Sequence, residues 1–162
     1  MDAPISARSQ RDSSRPWERL VLPKHTAVVA DTSAVVALLD RGEKHHRAVR
    51  ALYTAAPDAW ILPWAILPEV DYLVASHLGA RVHRLWLADL VSGAYAIEWG
   101  SEADVTAAHE IVKARSSLDL GLVDAVVMAV AQRLRADIAT LDLRDFGAVR
   151  LTHEPRLLPR DL

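Results

Sequence analysis

Short segments that are apolar at almost every position recur along this chain, set between longer segments of helical periodicity. No other feature constrains the fold as much. A strand with one face in water alternates apolar and polar residues. The run "TAVVA" (Thr26–Ala30) is β-branched and uninterrupted instead, as in a strand covered on both faces. Further short strands are expected at Trp60–Leu62, Tyr95–Trp99 and Asp137–Thr140, with a last one at Ala148–Leu151. Helices are expected at Ser33–Leu39, capped by Thr32 or Ser33, and at Lys44–Ala56 before Pro57. Others should run from Pro63 and Pro68 through "VDYLVASHL" to Gly79, and over Arg81–Val91, closed by Gly93. "SEAD" (Ser101–Asp104) has the form of a capping box for a helix reaching Arg115, and Leu120–Leu134 is strongly apolar and helical. Strands alternating with helices predict a parallel α/β sheet flanked by helices, a three-layer α/β/α fold. Sheets of that kind bind ligands outside the carboxyl ends of their strands.

Residues 1–25 are polar, mixed in charge and aperiodic, and are expected to form a disordered or loosely docked extension; residues 26–162 form the domain. The absence of cysteine excludes disulfides and thiolate metal sites. No apolar stretch approaches the roughly 18 residues of a membrane span, and no apolar leader core opens the chain, so a cytoplasmic protein is expected. A formal net charge of −2 gives no global attraction to nucleic acid. A polyanionic substrate then requires the acids to be gathered in one place with arginines around them.

The acids are distributed in that way. Asp31 ends the first strand, and Asp142 follows "DIAT" by two residues. Glu69 stands early in the helix after the "WIL" strand, on the same predicted edge. Asp124 lies within the apolar "LGLVDAVVMAVAQRL", with no lysine or arginine three or four residues away to offset the burial of its charge. Each acid has a simpler reading: Asp31 as a cap, Glu69 as a first-turn acid, Asp124 as a satisfied core polar group, Asp142 as a turn residue. Four acids on one edge of one sheet are hard to explain as four independent caps. Oxygen donors without cysteine or an H-x-x-x-H pair suit a hard cation, Mg²⁺ or Mn²⁺. Such an ion activates water and neutralises charge in phosphodiester hydrolysis.

"VVADTSAVVALLD", "LPEVDYLVA", "LGLVDAVVMAVAQRL" and "ADIATLDLRDF", in this order and spacing, are similar to the PIN domain, and most of all to the VapC-type ribonuclease toxins of bacterial toxin–antitoxin pairs. The likeness covers about Thr26 to Leu151. It implies a Mg²⁺- or Mn²⁺-dependent endoribonuclease whose metal-site acids are Asp31, Glu69, Asp124 and Asp142, with Ser33 supporting Asp31. It also implies an RNA substrate, a small antitoxin partner and a homodimer. Asp119 and Asp145 are weaker candidates. Asp119 is about 140° from Asp124 around a helix and reads as its N-cap; Asp145 is a turn residue or an outer ligand. A haloacid-dehalogenase-type phosphatase needs a second Asp where Ser33 stands, and no phosphate-binding glycine motif occurs. The remaining alternative is a non-catalytic PIN-like module that binds RNA or protein. Cations available to a substrate are Arg41, Lys44, Arg47 and Arg50 after the first helix, and Arg144 beside Asp142. The helices at Pro63–Leu78 and Arg81–Val91, with Trp64, Tyr72 and Trp86, are the expected dimer surface.

Overall fold

Five strands form one parallel sheet in the order β3-β2-β1-β4-β5: β1 Val28–Ala30, β2 Trp60–Pro63, β3 Ala96–Glu98, β4 Asp137–Ala139 and β5 Leu157–Leu158. The structure is a computed structural model and describes residues 27–161; the expected extension 1–25, and Thr26 at the start of the expected first strand, lie outside the described residues. The central strand β1 has no exposed residue, which is why its sequence shows no alternation. From β1 the chain steps outward through β2 to β3, then crosses back to add β4 and β5 on the other side. The carboxyl ends of β1 and β4 therefore flank the point where the strand order reverses, the position at which such sheets open a crevice.

Among the described residues seven α-helices flank the sheet: α1 Thr32–Leu39, α2 His46–Ala55, α3 Leu67–Leu73, α4 Gly79–Ser92, α5 Glu102–Ala114, α6 Leu122–Leu134 and α7 Leu143–Ala148. Helix α6 buries every residue from Ala125 to Ala131, packed against β1, β2, β4 and α5. A helix enclosed on all sides has no polar stripe, and this one reads that way in the sequence. The capping box forms as expected: Asp104 Oδ2 accepts from the Ser101 backbone N–H (2.8 Å) and hydroxyl (3.2 Å). Asp104 also takes the Arg133 guanidinium of α6 (Nε to Oδ1, 2.7 Å), which ties α5 to α6.

Three expectations are corrected. The last strand is Leu157–Leu158, not Ala148–Leu151; it is held beside β4 by Ile138 N–H to the Arg156 carbonyl and Thr140 N–H to the Leu158 carbonyl, and by Arg156 on Asp137. Helix α6 starts at Leu122 with Gly121 at its cap, so Asp119 caps nothing and lies exposed in the preceding loop. Gly79, by contrast, ends its helix as expected: α3 continues as a π turn, Val74–Leu78, which Gly79 caps at φ +81 as α4 begins. Trp86 is fully buried among core residues, so it cannot line a dimer surface, whereas Tyr72 is exposed.

Candidate active site

Asp31 leaves β1 with its backbone N–H on the Ala139 carbonyl (2.9 Å), then opens α1 as its N-cap. The cap is therefore the carboxylate, not Thr32 or Ser33 as the sequence suggested. Asp31 is only 4% exposed, and its Oδ2 accepts from Ser33 Oγ (2.7 Å), Thr140 Oγ1 (3.0 Å) and Ser33 N–H (3.3 Å), with the Thr32 backbone N–H also turned to the carboxylate. No side chain of the described residues donates to Oδ1. Released from capping, the Thr32 hydroxyl donates instead to Glu69 Oε2 (2.6 Å). That contact brings the first turn of α3 to the first turn of α1, with Glu69 on the solvent side.

The β4 side is built in a parallel way. Asp142 caps α7, its Oδ1 accepting from the N–H groups of Arg144 and Asp145 (3.1 Å each). Between the two caps lies Thr140, fully buried at the end of β4. Its hydroxyl donates to Asp31 and accepts from the Asp142 N–H (3.0 Å). Ser33 Oγ completes the stitching by accepting the Leu141 N–H (2.9 Å). Two hydroxyls thus fix the spacing of two strand ends that are 109 residues apart in sequence.

Asp124 enters from α6. Because that helix starts at Leu122, Asp124 sits in its first turn, half-buried rather than sunk in the apolar body. Burial pushes its carboxyl up to about 6, and the charges of Asp31, Asp142, Asp145 and Glu69 add to the effect. The four acids taken from the sequence therefore lie near enough to one another for their charges to act on Asp124, and Asp145 joins them; Asp119 is not among those charges. For Asp31, burial outweighs the hydroxyl and backbone donors and raises its carboxyl above the ordinary range. Among the described residues, no lysine, arginine or histidine forms an ion pair with Asp31, Glu69 or Asp124.

Arg144 is at the cluster, largely exposed and 3.8 Å from Asp145. Arg41 and Arg50 are elsewhere: they line a groove with Leu38, Leu39 and Arg81 at the opposite end of α1 from Asp31. The residues that sequence reasoning missed are Thr140 and Thr32. Each is a hydroxyl placed where a buried strand gives way to a helix or turn, which was the available signal.

The donor set can be tested against a cation. No three acidic or imidazole side chains among the described residues are already closed around one point. Mg²⁺, however, keeps much of its water and takes only one or two carboxylates directly, so an open ring of acids suits it better than a tight cage. An Asp31 Oδ1 without a side-chain donor and the mutual repulsion of uncompensated carboxylates both fit a hard divalent ion.

Comparison with known proteins agrees with this geometry. The family model described as PIN domain matches residues 28–150. Ribonuclease VapC26 of Mycobacterium tuberculosis is 33% identical over 124 residues, covering 76% of this chain and 92% of that protein. Among solved structures, VapC20 of Mycobacterium tuberculosis, a sarcin-ricin loop cleaving toxin, superposes with a TM-score of 0.69 at 22% identity, over 80% of this chain and 99% of that one. The DNA-bound VapBC of Salmonella typhimurium gives a TM-score of 0.64 at 16% identity, over 82% and 97%. A match over most of the described domain, with a relative above the identity at which fold and family travel together, makes this chain a member of the PIN-domain family.

Proposed function

We propose that this chain is a metal-dependent endoribonuclease and the toxin of a VapBC-type toxin–antitoxin pair. The observation that carries the reading is the set of carboxylates at the β1/β4 crevice, Asp31 buried, Asp124 and Asp142 half-buried and Glu69 exposed, none of them paired with a cation among the described residues. The relative named a ribonuclease and the toxin that cleaves the sarcin-ricin loop support RNA as the substrate class. The neighbour solved as a VapBC complex supports a small antitoxin partner. A homodimer is part of the same reading. Tyr72 of α3 and the exposed Leu87 and Val91 of α4 replace the Trp86-centred face in that reading.

In this reading Asp31, Glu69, Asp124 and Asp142 hold Mg²⁺ or Mn²⁺, which supplies activation of the attacking water and neutralises charge on the phosphate. Asp31 does so with an orientation fixed by Ser33 and Thr140. Its Oδ2 is committed to their hydroxyls, and Oδ1 is left for an outside partner. Thr32 fixes Glu69, and the α7 N-terminus fixes Asp142. Asp145 and Ser33 are supporting groups. Arg144 is the exposed cation placed to meet a phosphate. The deciding experiment is RNA cleavage with Mg²⁺ or Mn²⁺ against the same reaction in EDTA. Cleavage that requires the ion supports the reading. Cleavage undiminished by EDTA overturns the metal site, and RNA binding with no cleavage under any ion leaves a binding module.

A further inference from the structure

The carboxyl edge that carries the carboxylates also carries one exposed indole. Strand registers pair Val29 with Ile61, Ile61 with Ala96 and Pro63 with Glu98, so Asp31 and Glu98 stand at the same height on β1 and β3. Trp99, one residue further, rises just above that level, two strand spacings or about 10 Å across the sheet from Asp31. It is 71% exposed, whereas Trp60 and Trp86 are fully buried. An indole so open to water contributes little to the core.

The backbone on both sides of Trp99 is fixed. Glu98 accepts the Gly100 N–H (3.0 Å) and the Arg133 guanidinium (3.2 Å), so its charge is compensated and its position held. Gly100 adopts φ +77 and packs on Trp64 so closely that a Cβ would fall 2.6 Å from its indole nitrogen. Ser101 is held by the capping box. A rigid four-residue corner thus presents a large aromatic face to solvent beside a site for a polyanion. Stacking on a base needs a flat, preordered surface of that kind and tolerates any base.

We propose that Trp99 is a positioning residue that stacks a base of the RNA substrate next to the scissile phosphate. The proposal rests on the ribonuclease reading above. The test uses full-length Asp31→Asn, expected to cut far more slowly than wild type, and measures its binding to a fluorescein-labelled oligoadenylate and to an abasic ribose-phosphate oligomer of equal length. Adding Trp99→Ala should weaken oligoadenylate binding by roughly 5- to 150-fold, the range for one lost stack. The abasic oligomer should be bound equally with and without Trp99, and Trp99→Phe should restore most of the loss. The salt dependence should stay the same, since no phosphate contact is removed. Equal oligoadenylate binding by Asp31→Asn and its Trp99→Ala derivative overturns the proposal while sparing the ribonuclease reading. A loss that appears only as the protein dissociates, followed by light scattering, also overturns it and makes Trp99 a contact between copies. Failure of Asp31→Asn itself to bind either oligomer overturns both readings together.

Discussion

Three aspartates are nearly buried in this domain, and they are treated in two different ways. Asp104 and Asp137 each face an arginine: Arg133 reaches Asp104 at 2.7 Å, and Arg156 reaches Asp137 at 2.6 Å. The Arg133 guanidinium prevails over burial and holds the Asp104 carboxyl below its usual range. Asp31 is as buried as either, but its partners are two hydroxyls and a backbone N–H, and its carboxyl is raised. An acid that ties elements together is matched within the chain. An acid left with neutral donors beside another raised carboxyl, Asp124, has been left for a charge that arrives from outside.

The contrast is sharpest in the response to charge removal. Asp31→Asn should lower metal-dependent RNA cleavage by more than the 10–100-fold typical of groups that only orient a ligand. It should leave the unfolding midpoint unchanged or raised, because the amide keeps the volume and loses the repulsion. Cleavage within a few-fold of wild type would place Asp31 with the structural acids. The same isosteric change at Asp104 should do the reverse. Arg133 would lose one of its two carboxylate partners but keeps Glu98 and is partly exposed, so the expected loss is about 1–3 kcal/mol of stability, read by urea titration, with cleavage per folded molecule retained.

Asp124→Asn tests the same distinction through pH. A carboxyl raised to about 6 in the fold, against an unfolded value near 4, binds more protons folded than unfolded between those two pH values. Stability without metal should therefore fall as pH climbs from about 4 to about 6 and level off above. The half-exposed position limits the penalty at pH 7 to about 1–2 kcal/mol. Asp124→Asn should reduce that pH dependence, leaving the share of the buried Asp31, and melt higher than wild type in EDTA at pH 7, while losing cleavage. A mutant less stable in EDTA would make Asp124 a structural residue. The smallest expected effect is at Thr140. Thr140→Val removes the hydroxyl between Asp31 and Asp142 with little change in shape, and should cost about tenfold in cleavage with a modest loss of stability.

Much of this was legible in the sequence, for a physical reason. Strands buried on both faces have no alternation, and β1, β2 and β4 announced themselves by that. The last strand did not, because two leucines in "EPRLLPR" carry no periodicity and are recruited only by the ladder from β4. The acids were legible from their places at strand and helix ends. Their roles as caps were treated as competing with a site, and the geometry shows that capping is how Asp31 and Asp142 are aimed. Thr140 was not legible as a partner of Asp31, since that depends on β4 pairing with β1, a contact no local pattern encodes.

The central claim is that the unmatched carboxylates, and not the matched ones, bind a divalent cation. The most direct measurement is the melting temperature of wild type, Asp31→Asn and Asp104→Asn, in EDTA and with Mg²⁺ or Mn²⁺. An ion at a hundredfold its dissociation constant adds about 2.7 kcal/mol, or roughly 5–10 °C for a domain of this size. Wild type and Asp104→Asn should rise by similar amounts, and Asp31→Asn by little or nothing. An equal rise in Asp31→Asn, or no rise in wild type, would contradict the account.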